Sequence, residues 1–259
     1  MHLIDTHCHF DDSRFDSDRA QVYQRARAAG VAALIVPAVT RDTWDRQTAV
    51  CREYPGLYPA YGLHPMFMPQ HRENHIEALA IQLASEKAVA VGECGLDFYI
   101  KDPERERQME LFHAQLKLAE KHMLPVIIHA RKAVEEVINS LRRCNRLRGV
   151  LHSYAGSEQQ AQRLIEMGFL LSFGGPVTYP AAKRLRQLVS RLPLDAIMLE
   201  SDAPDQPDVE NRGGRNEPAL LGSVLNCMSE LRKESAEEIA FQTTANALKL
   251  FNIRLPNGA

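Results

Sequence analysis

The sequence predicts a closed parallel (β/α)8, or TIM, barrel with an extra helix at its C-terminus, and three observations carry that prediction. Short apolar runs alternate eight times with longer, charged, amphipathic stretches along 259 residues, a length at which such barrels are routinely single units. No GxGxxG follows the first run, so the usual mark of an open, doubly wound sheet is missing. Polar side chains with chemical capability fall at the ends of several runs, where this fold gathers its active sites.

Taken in order, the first run is His2-Leu3-Ile4, which leads into Asp5-Thr6-His7-Cys8-His9. In a strand the side chains alternate, so His7 and His9 leave on one side about 6.6 Å apart and Cys8 on the other. Two imidazoles on one face can grip a metal ion or form a hydrogen-bonded surface pair. Residues 17–29 carry Val22, Ala26 and Ala29 at helical spacing, with Gly30 as the stop. Residues 31–36 are a β-branched buried strand, 42–53 a helix, and 57–61 a third strand entering Gly62-Leu63-His64-Pro65. Residues 75–87 form a helix, and 88–91 a fourth strand that runs into Gly92-Glu93-Cys94-Gly95-Leu96-Asp97. Residues 104–122 are the longest helical pattern, with Asp102-Pro103 as its expected cap.

The fifth strand, 125–128, delivers His129, and after a helix over 133–147 the sixth, 149–151, delivers His152. A helix over 157–167 closes at Gly168, strand seven spans 169–173, and a helix spans 181–192. The eighth strand, 196–199, delivers Glu200-Ser201-Asp202; helices over 218–232 and 235–252 and a tail over 254–259 finish the chain. No low-complexity segment or linker marks a boundary, so residues 1–259 are expected to form one domain.

Composition narrows the function classes. With 45% hydrophobic and 25% charged residues the chain has globular composition, and its net charge of −2 gives no bulk footprint for nucleic acid, so any polyanion must be met locally. Cys8, Cys51, Cys94, Cys144 and Cys227 are odd in number and lack CxxC spacing, which suits reduced thiols in a cytoplasm. The start shows no basic-then-apolar leader, and the best apolar run, 31–39, is too short to span a bilayer. A soluble cytoplasmic protein with no membrane contact and no obligate protein partner is expected.

His7, His9, Glu93, His129, His152 and Asp202 come from the tips of strands one, four, five, six and eight, which a barrel brings to one rim. Four imidazoles and two carboxylates exceed one tetrahedral site and suit two ions, with Glu93 able to bridge them. The alternative is a buried polar network that locks the rim. Those residues, with the motifs Gly62-Leu63-His64-Pro65, Gly92-Glu93-Cys94-Gly95-Leu96-Asp97, Glu200-Ser201-Asp202-Ala203-Pro204 and Arg215-Asn216-Glu217-Pro218, resemble the TatD family of metal-dependent deoxyribonucleases from residue 5 to about 250.

That resemblance implies one ion on His7, His9, Glu93 and Asp202 and another on Glu93, His129 and His152. It implies two divalent ions per chain, with zinc, manganese, magnesium, nickel and iron not told apart by the ligand types. Glu93 and Asp202 are the expected catalytic carboxylates, Asp202 as proton acceptor beside a metal-bound hydroxide. His64, Arg131 and Arg215 are the candidate substrate contacts; for Asp97 a turn or helix cap is the simpler reading. Ser201 stands where the family often has threonine, and Gly214 where relatives commonly carry lysine or arginine. The function so implied is hydrolysis of phosphodiester bonds, as an exonuclease-type DNase. The competing readings are an amidohydrolase-like hydrolase of a small ester, amide or lactone, and a binding module without turnover.

Overall fold

The computed structural model describes residues 2–144 and 146–255; the last four positions of the expected tail, 256–259, lie outside the described residues. Eight strands form one sheet in chain order: β1 (Leu3–Asp5), β2 (Val31–Pro37), β3 (Leu57–Tyr61), β4 (Ala90–Asp97), β5 (Val126–Arg131), β6 (Gly149–Leu151), β7 (Phe169–Phe173) and β8 (Ile197–Leu199). The pairings of β1 with β2, β3 with β4, β4 with β5, β5 with β6 and β7 with β8 are parallel. Just past the ends of β1 and β8, the Thr6 N–H donates to the Leu199 carbonyl at 3.0 Å and the Asp202 N–H to the His7 carbonyl at 2.8 Å, joining the first strand to the last. The fold class is the (β/α)8 barrel.

The strands are short, and β2 and β4 are buried at every position, as strands covered on both faces must be. Between them run α1 (Arg19–Ala28), α2 (Trp44–Glu53), α3 (His75–Ser85), α4 (Arg105–His122), α5 (Val134–Leu141), α6 (Glu158–Glu166) and α7 (Lys183–Arg191), followed by α8 (Leu221–Leu231) and α9 (Ala236–Phe251). α6 and α9 each start on a full capping box, Ser157 with Gln160 and Ser235 with Glu238. α9 is the extra C-terminal helix. Its Thr244 hydroxyl donates to the His2 carbonyl at 2.8 Å and its Asn246 amide to the Ile197 carbonyl at 2.8 Å. No helix among the described residues is long and apolar enough to cross a membrane.

Two compact units are distinguished. The first comprises 1–36, 50–58 and 171–259, the second 37–49 and 59–170. The first holds β1, β2, β8 and the three C-terminal helices around a core that includes Phe10, Phe15, Ile35 and Met228. The second holds β4, β5 and β6 with α3 to α6, around Tyr61, Leu63, Leu96 and Phe112.

Several boundaries differ from the sequence reading, among them the end of β5, at Arg131 instead of residue 128. β4 runs on to Asp97 instead of stopping at Val91, because Gly92 and Gly95, at φ 156° and 140°, let the backbone continue against β5. α4 starts after Glu104, itself left-handed and without a side-chain cap, so Asp102 is not the cap. α5 ends at Leu141, where the buried series Val137, Ile138 and Leu141 gives way to exposed Arg142 and Arg143. His71 and His75 are buried, and His71 Nε2 lies 2.8 Å from the His64 carbonyl.

Candidate metal centre

In the first unit the tips of β1 and β8 are laced by the carboxylate of Asp5. It accepts the Ser201 N–H at 2.9 Å, the Ser201 hydroxyl at 2.5 Å and the His7 N–H at 3.3 Å. Burial pushes this carboxyl up to about 7, although the hydrogen bonds from Ser201 and His7 work against it. The result is a fixed platform for His7, His9 and Asp202. Asp202 takes a left-handed backbone, φ 58°, a region Asp tolerates better than most residues, and Gln206 donates to its Oδ2. Its Oδ1 lies 3.5 Å from His7 Nε2 and 3.8 Å from His9 Nε2, and the two nitrogens are 3.3 Å apart. The point equidistant from these three atoms is about 2 Å from each, the bond length of zinc to imidazole or carboxylate. Cys8 is not part of this triangle; its thiol donates to the Ala203 carbonyl at 3.7 Å.

In the second unit β4 delivers Glu93, whose N–H donates to the Ala38 carbonyl at 3.0 Å. A Cβ on Gly95 would come within 2.0 Å of the His129 carbonyl, so this glycine lets β4 and β5 close to a distance no side chain permits. Glu93 Oε1 then meets three imidazoles: His64 Nε2 at 2.7 Å, His152 Nε2 at 2.9 Å and His129 Nδ1 at 3.2 Å. His129 Nδ1 and His152 Nε2 are 3.1 Å apart. The centre of the triangle these two nitrogens make with Glu93 Oε1 is about 1.8 Å from each atom, so an ion at ordinary bond length fits just out of their plane.

His64 plays a different part from the other two. Its Nδ1 accepts the Met66 N–H at 3.1 Å, so the ring proton sits on Nε2 and is donated to Glu93. Burial pushes His64 down to about 4, with Glu93 only partly opposing, so the ring is neutral. Burial acts the same way on His129, but hydrogen bonds and charge from Asp97 and Glu93 outweigh it and bring the ring up to about 9. Asp97 is held below the usual carboxylate range: burial opposes this, and the bonds from His129 and from the Tyr99 N–H overcome it. The acceptors of this cluster call for positive charge between them, which the donor set can take as a proton or as a metal ion.

Of the residues predicted from sequence, the structure groups His7, His9 and Asp202 in one unit and Glu93, His129 and His152, with His64, in the other. Arg131 and Arg215 belong to neither triangle. Arg131 ends β5 with its guanidinium 3.9 Å from the centre of the exposed Tyr99 ring. Arg215 forks onto Asp18 with two bonds of 2.7 Å, donates to the Arg14 carbonyl and lies over Phe15. It is part of a clasp that also pairs Arg14 with Asp205 and Arg25 with Glu217, fastening the loop after β8 to the segment ahead of and within α1. Sequence reasoning missed Asp97 and Gln206 as partners of the site. Asp97 had a signal: Glu93, Gly95 and Asp97 share one face once the strand is drawn through them.

The chain matches the family model described as TatD related DNase over residues 4–252. It is 42% identical to the uncharacterized metal-dependent hydrolase YjjV of Escherichia coli, over 97% of this chain and 98% of that one, and 37% identical to YabD of Bacillus subtilis, described in the same words, over 97% and 99%. The crystal structure of YjjV, described as a TatD homolog, superposes with a TM-score of 0.94 at 41% identity, covering 97% of this chain and 98% of that one. A TatD family hydrolase from Entamoeba histolytica shares the fold at a TM-score of 0.86 with 19% identity, over 96% and 98%. Family model, relatives and fold agree, and the chain belongs to the TatD family of metal-dependent hydrolases.

Proposed function

We propose that this hydrolase works with two divalent ions per chain, one on His7, His9 and Asp202 and one on Glu93, His129 and His152, and that it cleaves phosphodiester bonds of DNA from an end. The observation that carries this reading is the size of the two donor triangles, each matched to a metal ion. When bound, divalent ions lower the pKa of water toward neutrality and stabilise charge on attacking and leaving oxygens. Asp202 takes the proton of the attacking water, and Gln206 on Oδ2 turns Oδ1 toward His7 and His9. His64 donates Nε2–H to Glu93 and holds that carboxylate in place.

Arg131 on Tyr99 supports a substrate that offers both a phosphate and a flat ring, since the arginine can pair with the one and the tyrosine stack on the other. All five cysteines are free thiols, which supports a reducing, cytoplasmic setting. A second reading, hydrolysis of a small ester, amide or lactone, is favoured by the net charge of −2 and by the engagement of Arg215 with Asp18. One experiment separates them. Purified protein with Mg²⁺ or Mn²⁺ is given end-labelled single-stranded DNA and, in parallel, a panel of lactones and dipeptides. Progressive shortening of the DNA with an inert panel is the expected result; intact DNA with a reacting panel replaces the first reading by the second.

A further inference from the structure

We propose that Asp97 is a positioning residue that makes His129 a metal ligand through Nδ1, and that Gln108 holds Asp97 to the task; this rests on the metal-dependent reading above. His129 Nε2 lies 3.0 Å from Asp97 Oδ2. An ionised carboxylate only accepts, so the proton of that hydrogen bond belongs to Nε2. Once a metal ion replaces the second ring proton, the lone pair is on Nδ1, which is the atom that faces Glu93 Oε1 at 3.2 Å and His152 Nε2 at 3.1 Å. His152 faces the same point through Nε2, so the two histidines are presented in opposite senses.

Asp97 has little freedom to do otherwise. Its side chain is fully buried, and its other oxygen accepts the Tyr99 N–H at 2.9 Å. Gln108, on the first turn of α4 and also fully buried, clips the backbone at the same residue: the Asp97 N–H donates to Gln108 Oε1 at 2.8 Å, and Gln108 Nε2 donates to the Asp97 carbonyl at 3.0 Å. Strand register completes the arrangement, with Gly95 beside His129 and Asp97 beside Arg131. A carboxylate behind a ligating histidine fixes the ring and raises its donor strength, and such partners typically contribute about 10–100-fold to metal affinity.

The test uses the full chain loaded with zinc and labelled with ¹⁵N-histidine. A long-range ¹H–¹⁵N correlation spectrum, with His129 assigned from its absence in His129→Asn, is expected to show His129 protonated at Nε2 and zinc-bound at Nδ1. In chelator competition Asp97→Ala is expected to hold one of two zinc ions about 10–100-fold more weakly. Asp97→Asn, which keeps an acceptor oxygen, is expected to lose less. Circular dichroism of each variant reports folding, and the wild-type spectrum stands as the decisive measurement if Asp97→Ala does not fold. Zinc uptake with His129 bound through Nε2, or a folded Asp97→Ala with wild-type affinity, overturns the proposal alone. A wild type that takes up no zinc overturns it together with the metal-dependent reading.

Discussion

Asp202 combines two constraints on one side chain: a left-handed backbone that aims it at His7 and His9, and a hydrogen bond from Gln206 that fixes its plane. Asp202→Asn keeps the shape and removes the proposed base. Turnover is expected to fall by about 10²–10⁴-fold while the denaturation midpoint stays close to wild type, as steady-state kinetics and urea titration would read. His64 makes a separate prediction for the metal-free protein. Unfolded, its ring ionises near 6.5; folded, burial holds it to about 4. Between those values the unfolded chain binds the extra proton, so the contribution of His64 is fully present above pH 6.5 and is lost as pH falls toward 4. The loss amounts to about 3 kcal/mol at most. Urea midpoints at pH 7 and pH 5 should therefore differ less in His64→Asn than in wild type, and equal differences would remove this account.

The elements that carry the site are short strands whose last residues are polar, and β4 is the most constrained. Gly95→Ala meets both a φ of 140° and the His129 carbonyl at 2.0 Å. It is expected to cost about 3 kcal/mol or more and to disturb Glu93, His129 and Asp97 together, which denaturation and metal titration would show as coupled losses. The same strand shows where sequence reading stopped short. The runs at 31–36, 57–61, 149–151 and 169–173 were legible because a buried parallel strand is nearly all apolar. β4 past Val91 is not: Gly92, Glu93, Gly95 and Asp97 break the apolar run, and only the close approach to β5 makes them a strand. For that reason Glu93 and His129 were found from their chemistry and Asp97 was read as a loop residue. The shortened α5 and the uncapped start of α4 have the same origin, since tertiary contact sets their ends where local propensity suggested otherwise.

At the scale of the whole molecule, the candidate ligands were legible as an ordered series of strand-end residues along the chain. The hydrogen bonds around these residues were not, because Asp5 with Ser201, and His64 with Met66, are fixed by backbone geometry that no residue type announces. Metal removal tests the molecule as a unit. If ions bind only the folded chain, treatment with a chelator should lower the melting temperature, and added divalent metal should restore it in proportion to RT ln(1 + [L]/Kd), about 2.7 kcal/mol at a hundredfold excess over Kd. A melting curve indifferent to chelator would argue against ions built into the native state.

The arginine clasp over the loop that follows Asp202 joins Arg14, Arg25 and Arg215 to Asp205, Glu217 and Asp18 on a partly exposed surface. Such attractions weaken once mobile counterions crowd within about 8 Å, the screening distance at physiological strength. The stretch beside Asp202 is therefore tethered by a force that the surrounding medium sets: firm in dilute buffer and slack in brine, whatever substrate is present.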